Sequence, residues 1–156
     1  MPALSSENRL LDALKVSRMT LAVAEGCTGG TLAKRLSDVP SAQGIMVGSL
    51  VTRSAQLRIR LLGLSRETVR THGLASAPCA EEMAIGIRKI MHADIGLSTT
   101  GHDAKNPAVY VGIATPLRSF SFKFTPDPDA TEEQIKDLAA SKAFLRLYRE
   151  ITGDTK

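Results

Sequence analysis

Apolar residues along this chain switch repeatedly between helical and extended spacing. Leu10, Leu11 and Leu14 mark one face of a helix that begins at Ser5 or Ser6, either of which is a hydroxyl N-cap. Met19 to Glu25 (MTLAVAE) is a short apolar run suited to a buried strand, and it stops at Gly26-Cys27-Thr28-Gly29-Gly30. Leu32, Ala33 and Leu36 restart a helical pattern that Asp38-Val39-Pro40 closes, and Gly44 to Thr52 predicts the next strand. Leu57, Leu61 and Leu62 support a short helix up to Gly63, and Ser65 caps another turn that runs to His72-Gly73. Ser76, with Pro78 in the first turn, opens a longer helix whose expected buried stripe is Met83, Ile87, Ile90 and Met91.

Asp94 to Thr100 predicts a third strand, and a polar loop over 101–106 leads into Ala108 to Thr115. After Pro116-Leu117-Arg118, Ser119 to Phe124 alternates Phe120, Phe122 and Phe124 on one side, as expected of a strand with one buried and one solvated face. Thr131-Glu132-Glu133-Gln134 matches a capping box, and Ile135, Leu138, Ala139, Phe144 and Leu145 supply the face of the last helix. Strand, crossover helix and strand make a βαβ unit with a parallel pair, whereas the last two strands read as an antiparallel hairpin. The expectation is an α/β fold: a single-domain three-layer α/β/α sandwich over residues 1–156, on a mixed, partly parallel sheet.

Composition narrows the function classes. With 43% hydrophobic and 23% charged residues the chain is globular. A net charge of +4 favours anionic partners such as phosphorylated metabolites. Scattered cations, four Phe, two Tyr and no Trp argue against nucleic-acid binding. Cys27 and Cys79 form neither a disulfide framework nor a metal-ligand spacing, so no metal is expected and a reducing compartment is. The start, Met1-Pro2-Ala3-Leu4-Ser5-Ser6-Glu7, has no basic-then-apolar signal pattern, and no apolar stretch approaches a membrane span. The expected location is cytoplasmic.

The turn from Glu25 to Gly30 is the most informative segment for chemistry. Two glycines at a helix start let backbone approach a ligand closely, and free N–H groups there would make an anion or oxyanion site. The bland alternative is a tight turn that serves packing.

Ala24-Glu25-Gly26-Cys27-Thr28-Gly29-Gly30 resembles the AESCTGG segment of the CinA C-terminal (nicotinamide-mononucleotide amidase) family. The likeness continues in collinear order through Leu36-Ser37-Asp38-Val39-Pro40-Ser41, Gly48, Val51-Thr52, Leu61-Leu62-Gly63 and His72-Gly73. It then runs on through Glu82-Met83-Ala84, Ala93-Asp94-Ile95-Gly96-Leu97, Thr100-Gly101 and Val111-Gly112, covering residues 5–150. The resemblance implies an amidase site. A serine in the glycine-rich turn, helped by a tyrosine and a lysine of a YSNEAK-like segment, attacks the nicotinamide carboxamide and yields nicotinic acid mononucleotide and ammonia. A TGIAGP loop borders the pocket, no metal or organic cofactor is required, and a homodimer is the implied assembly.

Position by position, this chain departs from that pattern at the site. The nucleophile position is Gly26, the tyrosine position is Arg53 and the lysine position is Arg58. The TGIAGP loop survives only as Thr100-Gly101-His102-Asp103-Ala104-Lys105-Asn106, and the usual GDR is represented by Thr125-Pro126-Asp127-Pro128. An acyl-transfer nucleophile needs an oxygen or sulfur that can lose a proton, which glycine lacks. Arginine stays protonated at working pH and holds an anion rather than acting as a base.

Substitutes are weighed residue by residue. Cys27 is a candidate nucleophile or a small packing residue, and Ser54 a candidate nucleophile without an evident base. Thr28 reads as a helix N-cap, and His72 and His92 as helix ends. His102 and Asp103 sit in the loop expected to border the pocket, and Glu25 either bonds backbone N–H groups or orients a ligand. Three readings follow. One is a cationic binder of a small anionic metabolite, using Thr28, Gly29, Gly30, Arg53 and Arg58, with Thr100, Gly101 and His102 nearby. The others are a hydrolase acting through Cys27 or Ser54, and a domain with no small ligand.

Overall fold

A computed structural model describes residues 3–155; Met1, Pro2 and Lys156 lie outside the described residues. The elements run α1 (Ser6–Ser17), β1 (Leu21–Glu25), α2 (Thr31–Ser37), β2 (Met46–Val51), α3 (Ala55–Leu62) and α4 (Arg66–His72), followed by α5 (Ala77–Ile90), β3 (Ile95–Gly101), β4 (Val109–Ala114), β5 (Ser119–Phe124) and α6 (Glu132–Thr152). The five strands form one sheet in the order β2-β1-β3-β4-β5. β1 pairs parallel with both β2 and β3, while β3–β4 and β4–β5 are antiparallel. This is the mixed α/β sandwich expected of the pattern.

The pleat of β1 divides the core. Leu21 and Val23 face α1, α2 and α6, meeting Leu10, Leu14, Leu32, Leu36, Phe144 and Leu147. Ala22 and Ala24 face the opposite layer with Leu62, Cys79, Met83 and Ile87. Small residues are needed on that side because α5 lies directly on the sheet. A Cβ at Gly96 or Gly112 would overlap the carbonyl oxygen of Ala84 or Ala80.

Several expected faces shift. On α3 the buried pair is Arg58 and Leu62, whereas Leu57 and Leu61 are 42% and 43% exposed. The i, i+4 stripe starts at an arginine, so a search for apolar residues lands one position away from it. On α5, Cys79, Ala80, Met83, Ala84, Gly86 and Ile87 are buried, but Ile90 is exposed and Met91 only half-buried, because the helix ends there. On α6, the expected Ile135, Ala139 and Phe144 are buried and Ala140, Ala143 and Leu147 join them, whereas Leu138 is exposed and Leu145 half-buried. The capping box forms as the spacing requires, with Thr131 and Gln134 reciprocally bonded. β5 is an edge strand: Phe120, Phe122 and Phe124 pack half-buried against the core, while on the other face Ser119 and Ser121 are half-buried and Lys123 exposed. Arg118 and Arg146 stack on Phe120 and Lys142 on Phe124, covering the aromatic face.

Candidate functional site

Glu25 ends β1 fully buried, and its carboxylate is used up by the protein itself. It accepts from the Thr28 hydroxyl at 2.6 Å and from the N–H groups of Gly30, Leu32 and Ala33 at 3.2, 2.9 and 3.0 Å. Thr99 in turn donates to the Thr28 hydroxyl, whose own proton is committed to the carboxylate. The Gly29 N–H donates to the Gly26 carbonyl. The expected anion site at this helix start is therefore closed: an internal carboxylate fills it. Thr28 is not the N-cap either; Gly30, with φ 108°, holds that position. Thr28, Gly29, Gly30 and Glu25 do not line the neighbouring cavity.

That cavity, about 240 Å³, lies on the other side of the same turn. Gly26 and Cys27 from the turn, Arg53 just after β2, Arg58 on α3, and Thr100, Gly101 and His102 at the end of β3 come together there. Leu74, Ala75, Asp103, Glu132 and Lys136 complete the wall. Ser54 does not take part: its hydroxyl caps α3 by accepting from the Leu57 N–H.

Arg58 is the unexpected feature. It is 4% exposed, and it forms no ion pair with any described residue. Nη1 donates to Thr100 Oγ1 at 2.7 Å and lies 3.7 Å from Cys79 Sγ, Nη2 donates to the Thr52 carbonyl at 3.1 Å, and buried Nε has no partner. A side chain at position 26 would collide with Nη2. The guanidinium thus stands where a side chain at position 26 would go. Gly26 does not have the positive φ that demands glycine, so the arginine, not the backbone, is what excludes a larger residue. A buried charge with only neutral partners is costly, by several kcal/mol in typical cases.

The rest of the lining is also short of negative charge. Burial pushes the Cys27 thiol up to about 11, against the pull of Arg58, so it stays protonated near neutrality. Asp103 is held below the usual carboxylate range by the N–H groups of Asn106 and Lys105, which its Oδ1 accepts. His102 Nδ1 faces the Pro107 carbonyl at 3.0 Å, so Nδ1 carries a proton, and Nε2 lies 3.2 Å from Glu132 Oε1. The Pro107 contact first, and Glu132 after it, raise the pKa of His102. One oxygen of each acid is thus engaged, whereas Arg53 and Lys136 have no ion pair among the described residues. No group of three or more His, Cys, Asp or Glu among the described residues is arranged to hold a metal. Chemically, the cavity offers hydrogen-bond donors and positive charge.

His72 ends α4 beside its C-cap Gly73, and His92 follows the C-cap of α5 with φ 50°. Neither is in the cavity. Lys136 and Glu132 were missed by sequence reasoning because they arrive from α6, distant in the chain. The capping box that starts α6 is the one signal that positions them.

Known proteins place this geometry in a family. The sequence model of the CinA C-terminal domain matches residues 3–151. A CinA-like protein of Chlorobaculum tepidum is 46% identical over 95 residues, covering 61% of this chain and 22% of that protein. A CinA-like protein of Shewanella sp. ANA-3 is 34% identical over 142 residues, covering 86% and 33%. Across the most similar curated relatives, the chain spans between 22% and 37% of their length. The crystal structure of a competence or damage-inducible protein from Enterobacter asburiae superposes with a TM-score of 0.89 at 20% identity, covering 96% of this chain and all of that one. The competence/damage inducible protein CihA of Agrobacterium tumefaciens gives 0.84, also at 20% identity, over 94% and 97%. This chain belongs to the CinA C-terminal domain family.

Proposed function

We propose that this domain binds a small anionic or phosphorylated metabolite, from a cytoplasmic pool, and has given up the amide hydrolysis that the family resemblance implies. The observation that carries this reading is the buried Arg58 guanidinium, which fills the space above Gly26 and has no carboxylate partner. A bound anion would supply the missing countercharge, and Arg53 and Lys136 on the same wall would add to it. The small volume suits a compact charged group, since sites for drug-sized ligands usually occupy about 300–1,000 Å³. Hydrolysis is disfavoured by the same residues. Gly26 has no nucleophilic atom, the Cys27 thiol is held neutral by burial, and Ser54 is a cap outside the cavity.

The test is direct. Purified protein is incubated with nicotinamide mononucleotide and assayed for ammonia, and its melting temperature is followed with phosphorylated pyridine nucleotides and inorganic phosphate. The expected result is ligand-dependent stabilisation without ammonia, weakened in Arg53→Ala. Ammonia release that disappears in Cys27→Ala would establish the hydrolase reading instead.

A further inference from the structure

Around the Arg58 guanidinium the cavity offers donors and few spare acceptors, which decides what functional group it can receive there. Arg58 brings five N–H groups and no acceptor. Each terminal nitrogen holds two hydrogens, and Nη2 donates to one acceptor, the Thr52 carbonyl, so one N–H remains. Nη2 is also the atom in the space beside Gly26, which lines the cavity. The neighbouring oxygens are committed. Thr100 Oγ1 accepts from Arg58 and gives its proton to the Leu74 carbonyl at 2.7 Å, and the Thr99 carbonyl accepts from the Gly26 N–H at 2.9 Å. Cys27 supplies a neutral thiol, a weak acceptor. Of the two acids in the lining, Asp103 has Oδ1 engaged by backbone N–H groups and Glu132 has Oε1 engaged by His102, and neither hydrogen-bonds Arg58.

We infer that this cavity, on the reading that it binds anions, selects a carboxylate over the corresponding carboxamide, with the acid against Arg58 and the rest of the ligand toward Arg53 and Lys136. A carboxylate only accepts, so it matches the N–H left on Arg58 and neutralises the buried charge. A carboxamide has one accepting oxygen and an NH₂ group. That NH₂ cannot accept from Arg58, and the neutral amide would leave the guanidinium uncompensated. An amidase of this fold has to receive the amide; this chain retains the acid, the form that such a reaction releases.

Nicotinic acid mononucleotide and nicotinamide mononucleotide differ only in this group and share the phosphate, so they isolate it. Isothermal titration of the intact chain is expected to give tighter binding of the acid by about 10- to 100-fold, the range of one charged hydrogen bond. Inorganic phosphate serves as the third probe. In Arg58→Gln the preference collapses, whereas Arg58→Lys keeps it; circular dichroism checks that both variants fold, and the wild-type comparison stands without either. Equal binding of acid and amide, or tighter binding of the amide, overturns the inference and leaves anion binding intact. Failure of all three probes to bind overturns the anion-binding reading itself.

Discussion

Glu25 and Arg58 are both buried charges within reach of one turn, but they are treated in opposite ways. The carboxylate receives a hydroxyl and three backbone N–H groups, all aimed at it by the start of α2. The guanidinium receives a carbonyl, a hydroxyl and a distant sulfur, and keeps one nitrogen without any partner. Burial alone therefore does not separate a structural charge from a functional one; satisfaction does. A fully partnered buried charge holds the fold together. One left short of countercharge is a demand that a ligand can meet.

Substitutions sharpen that contrast. Glu25→Ala removes the acceptor of three helix-start N–H groups and should cost about 3 kcal/mol in urea unfolding. A variant of near wild-type stability would break the comparison. Gly26→Ser places a side chain against Arg58 and should cost about 2 kcal/mol. Adding Arg58→Ala should recover part of this, so that a double-mutant cycle shows coupling between the two sites. Arg58→Met should change unliganded stability by no more than about 1 kcal/mol, since replacing an uncompensated buried charge by an apolar side chain is often neutral. The same variant should lose all stabilisation by anions.

Titration gives the smallest effects. Arg118, with help from Arg146, holds Glu150 at about 2, and Glu7, although burial pushes it up, is brought to about 2 by Arg35. Their contribution is present above about pH 4.5 and fades as pH falls toward 2. Melts over that range should show this decline unchanged in Arg58→Met, because neither carboxylate belongs to the cavity. His102 behaves in the opposite sense. Its raised pKa means that its contribution is complete below about 6.5 and is lost as pH climbs through the raised value. Glu132→Gln should flatten that alkaline slope.

Strand and helix order was legible because the core follows simple periodicities, as in the alternation of Leu21 and Val23 against Ala22 and Ala24. What escaped has a physical cause each time. Arg58 occupies a stripe position that apolar counting skips, and Ala140 and Ala143 pack α6 without looking like a hydrophobic face. The glycine-rich turn suggested an open anion site, yet the residue that closes it, Glu25, comes just before the glycines and folds back over the helix start. Sequence spacing reports which N–H groups exist; it does not report whether an internal carboxylate has already taken them. Glu132 and Lys136 joined the wall through tertiary packing, which the capping box at the start of α6 does not encode.

Mutual exclusion between a side chain at position 26 and the guanidinium at 58 also shapes how this domain can change over generations. Serine installed alone meets an occupied volume, and lysine installed alone faces a glycine that offers it nothing to activate. On the proposed binding role, each single step toward hydrolysis is either harmful or useless, and only their combination opens a route. The pair works as a ratchet in sequence space, easy to enter and slow to leave.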